Sequence, residues 1–314
     1  MRFAHPLFFV KRFVHALALI LAAASAALIL VHFAPLDQGD GFGDPEFIAR
    51  ERARLGYDRP LAVQYTDWLS RALTLDFGES TRYQRPVSAL LGERIGNTLL
   101  LGVTALAVAL GLGLPAGVLT AASPRAWTSR AIRAASLLLI SVPPLVTSLV
   151  LLLIAARTGV LPAGGLGDGA TGGLVNTLLH LPLPALALGL PVAASLERLQ
   201  SRAMLEALAE PSITAARARG IPARRTTWVH AWRLSLTPVL AILGIVIGSV
   251  LSGSFVVEYV MTWPGLGRLM HDALVSRDLH LAAGCAAAGA ALLALGLELT
   301  DVARQYSDPR VSAA

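Results

Sequence analysis

Six stretches of 19 or more residues hold no Asp, Glu, Lys or Arg: residues 13–36, 95–124, 134–156, 169–196, 234–257 and 279–297. Crossing roughly 30 Å of hydrocarbon as a helix takes about 20 mostly apolar residues. Each stretch can supply one crossing. The second and fourth have residues to spare for loops, and the sixth extends through Glu298 at an interface. The chain therefore reads as an all-α integral membrane protein with six transmembrane helices. Composition agrees, because 15% of the 314 residues are charged, against about 25% in soluble domains. A soluble enzyme, a nucleic-acid-binding domain and a disordered chain all fit that balance poorly.

The first stretch has a rival reading. Its lead-in is basic (Arg2, Lys11, Arg12), and residues 22–27 offer small side chains of the kind found at a signal-peptide cleavage site. Yet it runs for 24 residues, beyond the about 7–15 of a signal's apolar core. A retained helix is the reading carried forward.

Orientation follows from the arginines. Lys11 and 25 Arg make up the basic residues, and short basic loops stay on the cytoplasmic side. With a cytoplasmic N-terminus, the inner pieces carry 15 basic and 6 acidic residues, and the outer pieces 11 basic and 14 acidic. The reverse orientation would translocate the arginine-rich loop 198–233. The chain so divides into a cytoplasmic N-terminus with helix 1 (1–36), an outer loop region (37–94), a core of helices 2–6 (95–303) and a cytoplasmic tail (304–314).

Two extramembrane segments carry most of the information. In 37–94, the runs 45–55 and 61–75 place Phe47, Ile48 and Leu55, then Val63, Trp68, Leu69 and Leu73, at roughly helical spacing. They suit helices lying on the membrane surface or a docking face for a soluble partner. In 198–233, Glu210-Pro211 opens a short helix over 212–219, and Gly220 stops it. Ile221-Pro222 then turns the chain into a second helical stretch, 223–233. The small residues Ala215, Ala216 and Ala218 permit close approach by another protein, and an ordinary solvated loop is the alternative. Farther on, Trp263-Pro264-Gly265-Leu266-Gly267 reads as a tight turn, with Trp263 in an interfacial aromatic belt. Arg277-Asp278 reads as a local surface ion pair.

Several chemistries are missing. A nucleotide-hydrolysing P-loop needs Gly-x-x-x-x-Gly-Lys-Ser/Thr, and the single lysine stands in Val10-Lys11-Arg12. If ATP drives this chain, another subunit hydrolyses it. There is no Gly-x-Ser-x-Gly elbow, no His-Glu-x-x-His and no paired intramembrane aspartates. The single Cys285 rules out an internal disulfide and a cysteine-based zinc site. An ion-coupled secondary carrier working alone would show ionisable residues near the span centres, and these are nearly absent. What remains is a Gly-, Ala- and Pro-rich bundle, bent and closely packed, suited to moving a solute.

Nine stretches in order resemble one family. They are Leu55-Gly-Tyr-Asp-Arg-Pro-Leu61 with Gln64-Tyr65 and Trp68-Leu69; Leu75-Asp-Phe-Gly-Glu-Ser80; Arg94-Ile-Gly-Asn-Thr-Leu-Leu100; Ile140-Ser-Val-Pro143; Leu161-Pro-Ala-Gly164; Ala215-Ala-Arg-Ala-Arg-Gly-Ile221; Thr262-Trp-Pro-Gly-Leu-Gly-Arg268; Arg277-Asp278; and Asp308-Pro-Arg310. The resemblance is to the inner-membrane permease subunits of the dipeptide/oligopeptide/nickel class of ABC importers.

That resemblance implies the type I importer transmembrane fold, with a periplasmic insertion between helices 1 and 2. It places the loop 198–233 as the EAA coupling loop, with Thr214, Ala215, Ala216, Arg217, Arg219 and Gly220 docking in a groove of an ATPase subunit. Thr214 stands where the general pattern has glutamate. Trp263, Pro264, Gly265, Gly267, Arg277 and Asp278 form the matching motif on the periplasmic side. The implied partners are a second homologous permease, two ABC ATPases that bind ATP and Mg2+, and a periplasmic or lipid-anchored binding protein, all at a bacterial inner membrane with both termini cytoplasmic. No cofactor, metal site, covalent chemistry or nucleic acid is implied for this chain. Peptides are the default substrate, with nickel chelates, glutathione and sugars as alternatives.

Overall fold

A computed structural model describes residues 6–33, 59–72, 74–162, 164–165 and 173–307. The run 45–55, residues 55–58 of the first motif, Ala163 of Leu161-Pro-Ala-Gly164, and the Asp308-Pro-Arg310 motif lie outside them. Regular structure among the described residues is helical, apart from one isolated antiparallel bridge between Glu79 and Pro86. In chain order the helices are α1 (Pro6–Phe33), α2 (Leu61–Ala72), α3 (Val87–Ala122), α4 (Trp127–Ser141), α5 (Pro144–Thr158), α6 (Gly173–His180), α7 (Pro182–Ala209), α8 (Pro211–Ala218), α9 (Trp232–Val260), α10 (Leu266–Val275) and α11 (Leu279–Ser307). A turn, Ala223–Arg225, and a π-helical stretch, Thr226–Ala231, feed directly into α9.

By length and apolarity, four of these runs can cross a membrane: Val10–Leu30, Val87–Ala122, Ala223–Val260 and Leu279–Val302. A fifth is available if α4 and α5, bent by 111° at their junction, count as one broken span. The expected third and fourth spans are where the helices break, and proline is the reason. Pro143 and Pro144 lack the N–H that would continue α4, and Pro144 instead starts α5. Pro182 likewise restarts the chain after α6. From there α7 has 15 residues before Glu197, then Arg198, Arg202 and Glu206, so its second half is too charged to lie in hydrocarbon.

The chain forms two compact units, whose boundaries fall within α3, α10 and α11. In the unit of Pro6–Ile95 with Leu269–Ala291, Ala24 and Leu28 of α1 are buried against Trp68 of α2 and Ala283 and Ala287 of α11. The Ser25 and Tyr65 hydroxyls add a hydrogen bond at 2.9 Å. The first apolar stretch is thus a helix with a packed face. Asp278 corrects an expectation here, since it is fully buried. Its carboxylate accepts from Ser80 Oγ at 2.6 Å, from Arg82 N at 3.3 Å and, as the cap of α11, from Leu281 N at 3.1 Å. A cap facing a folded loop serves Asp278 better than a surface pair with its neighbour. Nearby, burial and then a hydrogen bond donated to Asp272 hold the Tyr83 phenol above its ordinary pKa.

The other unit comprises Gly96–Arg268 with Leu292–Ala314. Its core is built on α7, which packs against α9, α4 and α5. The α3–α7 crossing is closer than side chains allow. A Cβ on Gly113 would stand 2.5 Å from the Ala193 carbonyl oxygen, and one on Gly117 would stand 2.6 Å from Gln200 Cβ. Small residues four apart let two backbones approach in this way.

Candidate functional site

The residues singled out in the loop 198–233 fall on α8. Pro211 occupies a first-turn position, where its missing N–H breaks no helical bond. At the other end, Gly220 N–H donates to the Arg217 carbonyl at 2.9 Å and Ile221 N–H to the Ala216 carbonyl at 3.3 Å. This paired closure requires the left-handed φ of +78° that Gly220 adopts.

An eight-residue helix has little stability of its own, so α8 depends on what it packs against. Ile213, 2% exposed, reaches Val118 and Ala121 of α3, Met204 and Ala207 of α7, and Ala231 at the end of the π-helical stretch. Ala216, three residues on, is buried on that same face. Thr214, Ala215, Arg217, Arg219 and Gly220 are exposed. Of the six residues expected to meet a partner, Ala216 therefore faces its own fold, because helical spacing puts it beside Ile213. Ile213→Ala is expected to lower stability by about 2–4 kcal/mol, read as thermal unfolding of the purified protein in detergent. A midpoint equal to wild type would mean that α8 is not anchored through this side chain.

The second set of residues forms a clasp centred on Glu258, a residue that sequence reasoning passed over. The Glu258 carboxylate is fully buried at the end of α9. It accepts from Thr98 Oγ1 at 2.8 Å, from Gly267 N at 2.6 Å and from Arg268 N at 3.4 Å. Thr98 Oγ1 in turn accepts from Leu266 N at 2.8 Å. Thr98 of α3 and the Glu258 carboxylate so satisfy the first N–H groups of α10, which no helical carbonyl can reach. Asn97 closes the clasp by donating to the Pro264 carbonyl at 2.8 Å and accepting from Trp263 Nε1 at 3.1 Å. Trp263 is 1% exposed, so it is a buried plug and not a member of an aromatic belt. Gly265 and Gly267 are required by crowding, since a Cβ on either would fall within 3 Å of the Glu258 carboxylate. The available sequence signal was Glu258 at the edge of an apolar stretch, five to nine residues before the residues of a Trp-Pro-Gly-Leu-Gly turn. Arg277 and Asp278 belong to the other unit.

Residues 113–313 match the family described as the binding-protein-dependent transport system inner membrane component. The chain belongs to this family. The permease is 31% identical over 311 residues to the oligopeptide transport system permease protein AppB of Bacillus subtilis, covering 97% of this chain and 98% of the relative. It is 33% identical over 276 residues to the glutathione transport system permease protein GsiC of Salmonella choleraesuis, covering 85% and 86%. A Brucella ovis protein with a provisional peptide-permease name is 34% identical over 307 residues, covering 94% and 95%. The permease so matches these relatives along nearly their whole length, and α8 and the Glu258 and Trp263–Gly267 side of the clasp lie within the family match, which begins after Asn97 and Thr98. Around α8 the permease exposes Arg217, Arg219, Arg224 and Arg225 alongside Glu206 and Glu210. That rim is polar and mainly cationic, with Thr214 and Ala215 as its small members.

Proposed function

We propose that this permease is one of two homologous membrane subunits of an ATP-driven importer for di- and oligopeptides at a bacterial inner membrane. The observation that carries the reading is α8. A short helix, fixed at its base by Ile213 and carrying Thr214, Ala215, Arg217 and Arg219 outward, has the form of a lever held by its own chain and offered to another. In this reading two ABC ATPases receive the α8 helices of the two permeases. Nucleotide-driven closure moves α8, and α7 and α9 transmit the motion to a pathway that alternates between outward and inward access. A periplasmic or lipid-anchored protein delivers the peptide. The six-span topology with cytoplasmic termini is kept, with α4–α5 and α6–α7 as broken spans and 37–94 as the periplasmic insertion. The packing of α1 against α2 and α11 supports its retention as the first span.

The peptide assignment rests on what the relatives are named for. Glutathione is itself a tripeptide, so GsiC and AppB together point to short peptidic solutes carrying free carboxylates. Substrate choice is tested by binding of labelled dialanine and of glutathione to the partner binding protein.

Coupling is tested by Ala215→Trp. The position is exposed, so the fold and the membrane level should hold, while co-purification with the ATPases should weaken about tenfold or more. Uptake of labelled dialanine into proteoliposomes should fall with it. Undiminished association and uptake would remove α8 from the ATPase contact.

A further inference from the structure

One buried layer in the Gly96–Arg268 unit is polar. Thr120 of α3, Glu197 and Gln200 of α7, and Ser235 of α9 are each at most 2% exposed. Thr120 Oγ1 donates to Glu197 Oε1 at 2.7 Å and lies 3.0 Å from Ser201 Oγ, while Gln200 Nε2 donates to Ser235 Oγ at 2.7 Å. Two acceptors are left over: Glu197 Oε2 and Gln200 Oε1 are buried and have no hydrogen-bond partner among the described residues. A buried carboxylate in that condition is unfavourable, and native interiors rarely leave one so.

A cation contacts the backbone of Thr120. Arg133 of α4 donates from Nη2 to the Thr120 carbonyl at 2.8 Å, so guanidinium and carboxylate are each one hydrogen bond away from the same residue. The Arg133 side chain is exposed, and its planar fork carries further donors that suit a carboxylate. Glu197 sits on α7, the helix that runs through Glu210 into α8, whereas Thr120 and Arg133 sit on α3 and α4. Movement of α8 that shifts α7 relative to α3 and α4 changes the separation of the carboxylate and the guanidinium.

We infer that Arg133 and Glu197 are positioning residues of a two-position latch. In this structure they bond different atoms of Thr120 and not each other, and they pair directly in the opposite state of the transport cycle. The inference rests on the coupling role proposed for α8, and it adds a residue pair whose attraction favours one state over the other. A pairing made in one state only is a coupling term between α8 and the pathway.

The test uses the assembled permease–ATPase complex. In a Cys285→Ser background, Arg133→Cys and Glu197→Cys are combined, and linkage by a short thiol crosslinker is measured without nucleotide and with ATP trapped. The expected result is a yield that differs about fivefold or more between the two states. Equal yields, or none in either state, in a complex that still hydrolyses ATP and takes up labelled dialanine would overturn the latch. A second measurement avoids the cysteines. Glu197→Gln keeps the shape and the acceptor for Thr120 but removes the charge, and should lower dialanine uptake per ATP hydrolysed by about fivefold or more at unchanged membrane abundance. Arg133→Gln should do the same, with the double variant no worse than either single one. A wild-type ratio in Glu197→Gln would overturn the inference. A wild-type complex in which ATP alters neither crosslinking nor uptake would sink the coupling reading itself, and the latch with it.

Discussion

Glu258→Leu should unfold this permease at a markedly lower temperature than wild type, with a loss of about 3–5 kcal/mol. Leucine fills comparable space but accepts no hydrogen bond. Thr98 Oγ1, Gly267 N–H and Arg268 N–H now point at the carboxylate from inside the fold. Without it, the first turn of α10 keeps only the bond from Leu266 N–H to Thr98. Each buried donor left over costs about 1–3 kcal/mol, and rotation of the Thr98 hydroxyl relieves part of the sum. Glu258→Gln should fall between, because it retains one acceptor oxygen but turns an amide N–H2 towards donors. The measurements are thermal unfolding in detergent and the amount of protein in the membrane fraction. Equal midpoints for Glu258→Leu and wild type would show that the clasp contributes little and that Trp263 packing alone holds this end of α9.

Gly113→Leu is the second large effect, of about 3 kcal/mol, at the upper end for overpacking. The atoms that a Cβ would meet are the Ala193 carbonyl oxygen at 2.5 Å, Leu196 Cβ at 2.9 Å and Ala193 Cα at 3.1 Å. Backbone cannot swing aside as a side-chain tip can, so α3 and α7 must separate, and the contacts of Leu196 and Ala193 with Ala109 go with them. Gly111 supplies the control within the same helix. A Cβ there meets nothing within 4 Å, so Gly111→Leu should leave the midpoint unchanged or raise it slightly, leucine being the better helix former. If both variants unfold alike, the close crossing is not a determinant of stability.

Local signals in this chain were legible and distant ones were not. The bounds of α8 followed from Pro211 and Gly220, because a missing N–H and a left-handed turn are properties of single residues. The long apolar runs became α1, α3, α9 and α11 for the same kind of reason, since hydrocarbon length is counted along one segment. The prolines at 143, 144 and 182 read as kinks within single spans, whereas the helices break there, with α4 packing on α7 and α5 on α7 and α9 across a 111° bend. Ala216 looked equivalent to Ala215 in sequence, and only the docking of Ile213 divided them into an inner and an outer face.

Taken alone, the sequence determined that the chain is a membrane protein, which loops carry the arginines, that a short helix interrupts the loop 198–233, and that its one lysine cannot serve a P-loop. The tertiary structure decided where the buried polar groups go. Asp278 and Trp263, which read as surface residues, are buried, and Glu258 and Glu197 became the centres of hydrogen-bonded layers. The reason lies in the separation of the partners. Thr98 is 160 residues from Glu258, Ser80 is 198 from Asp278, and Thr120 is 77 from Glu197. A carboxylate is tolerated inside only where the fold delivers its donors, and donors that far along the chain are invisible until the helices have packed.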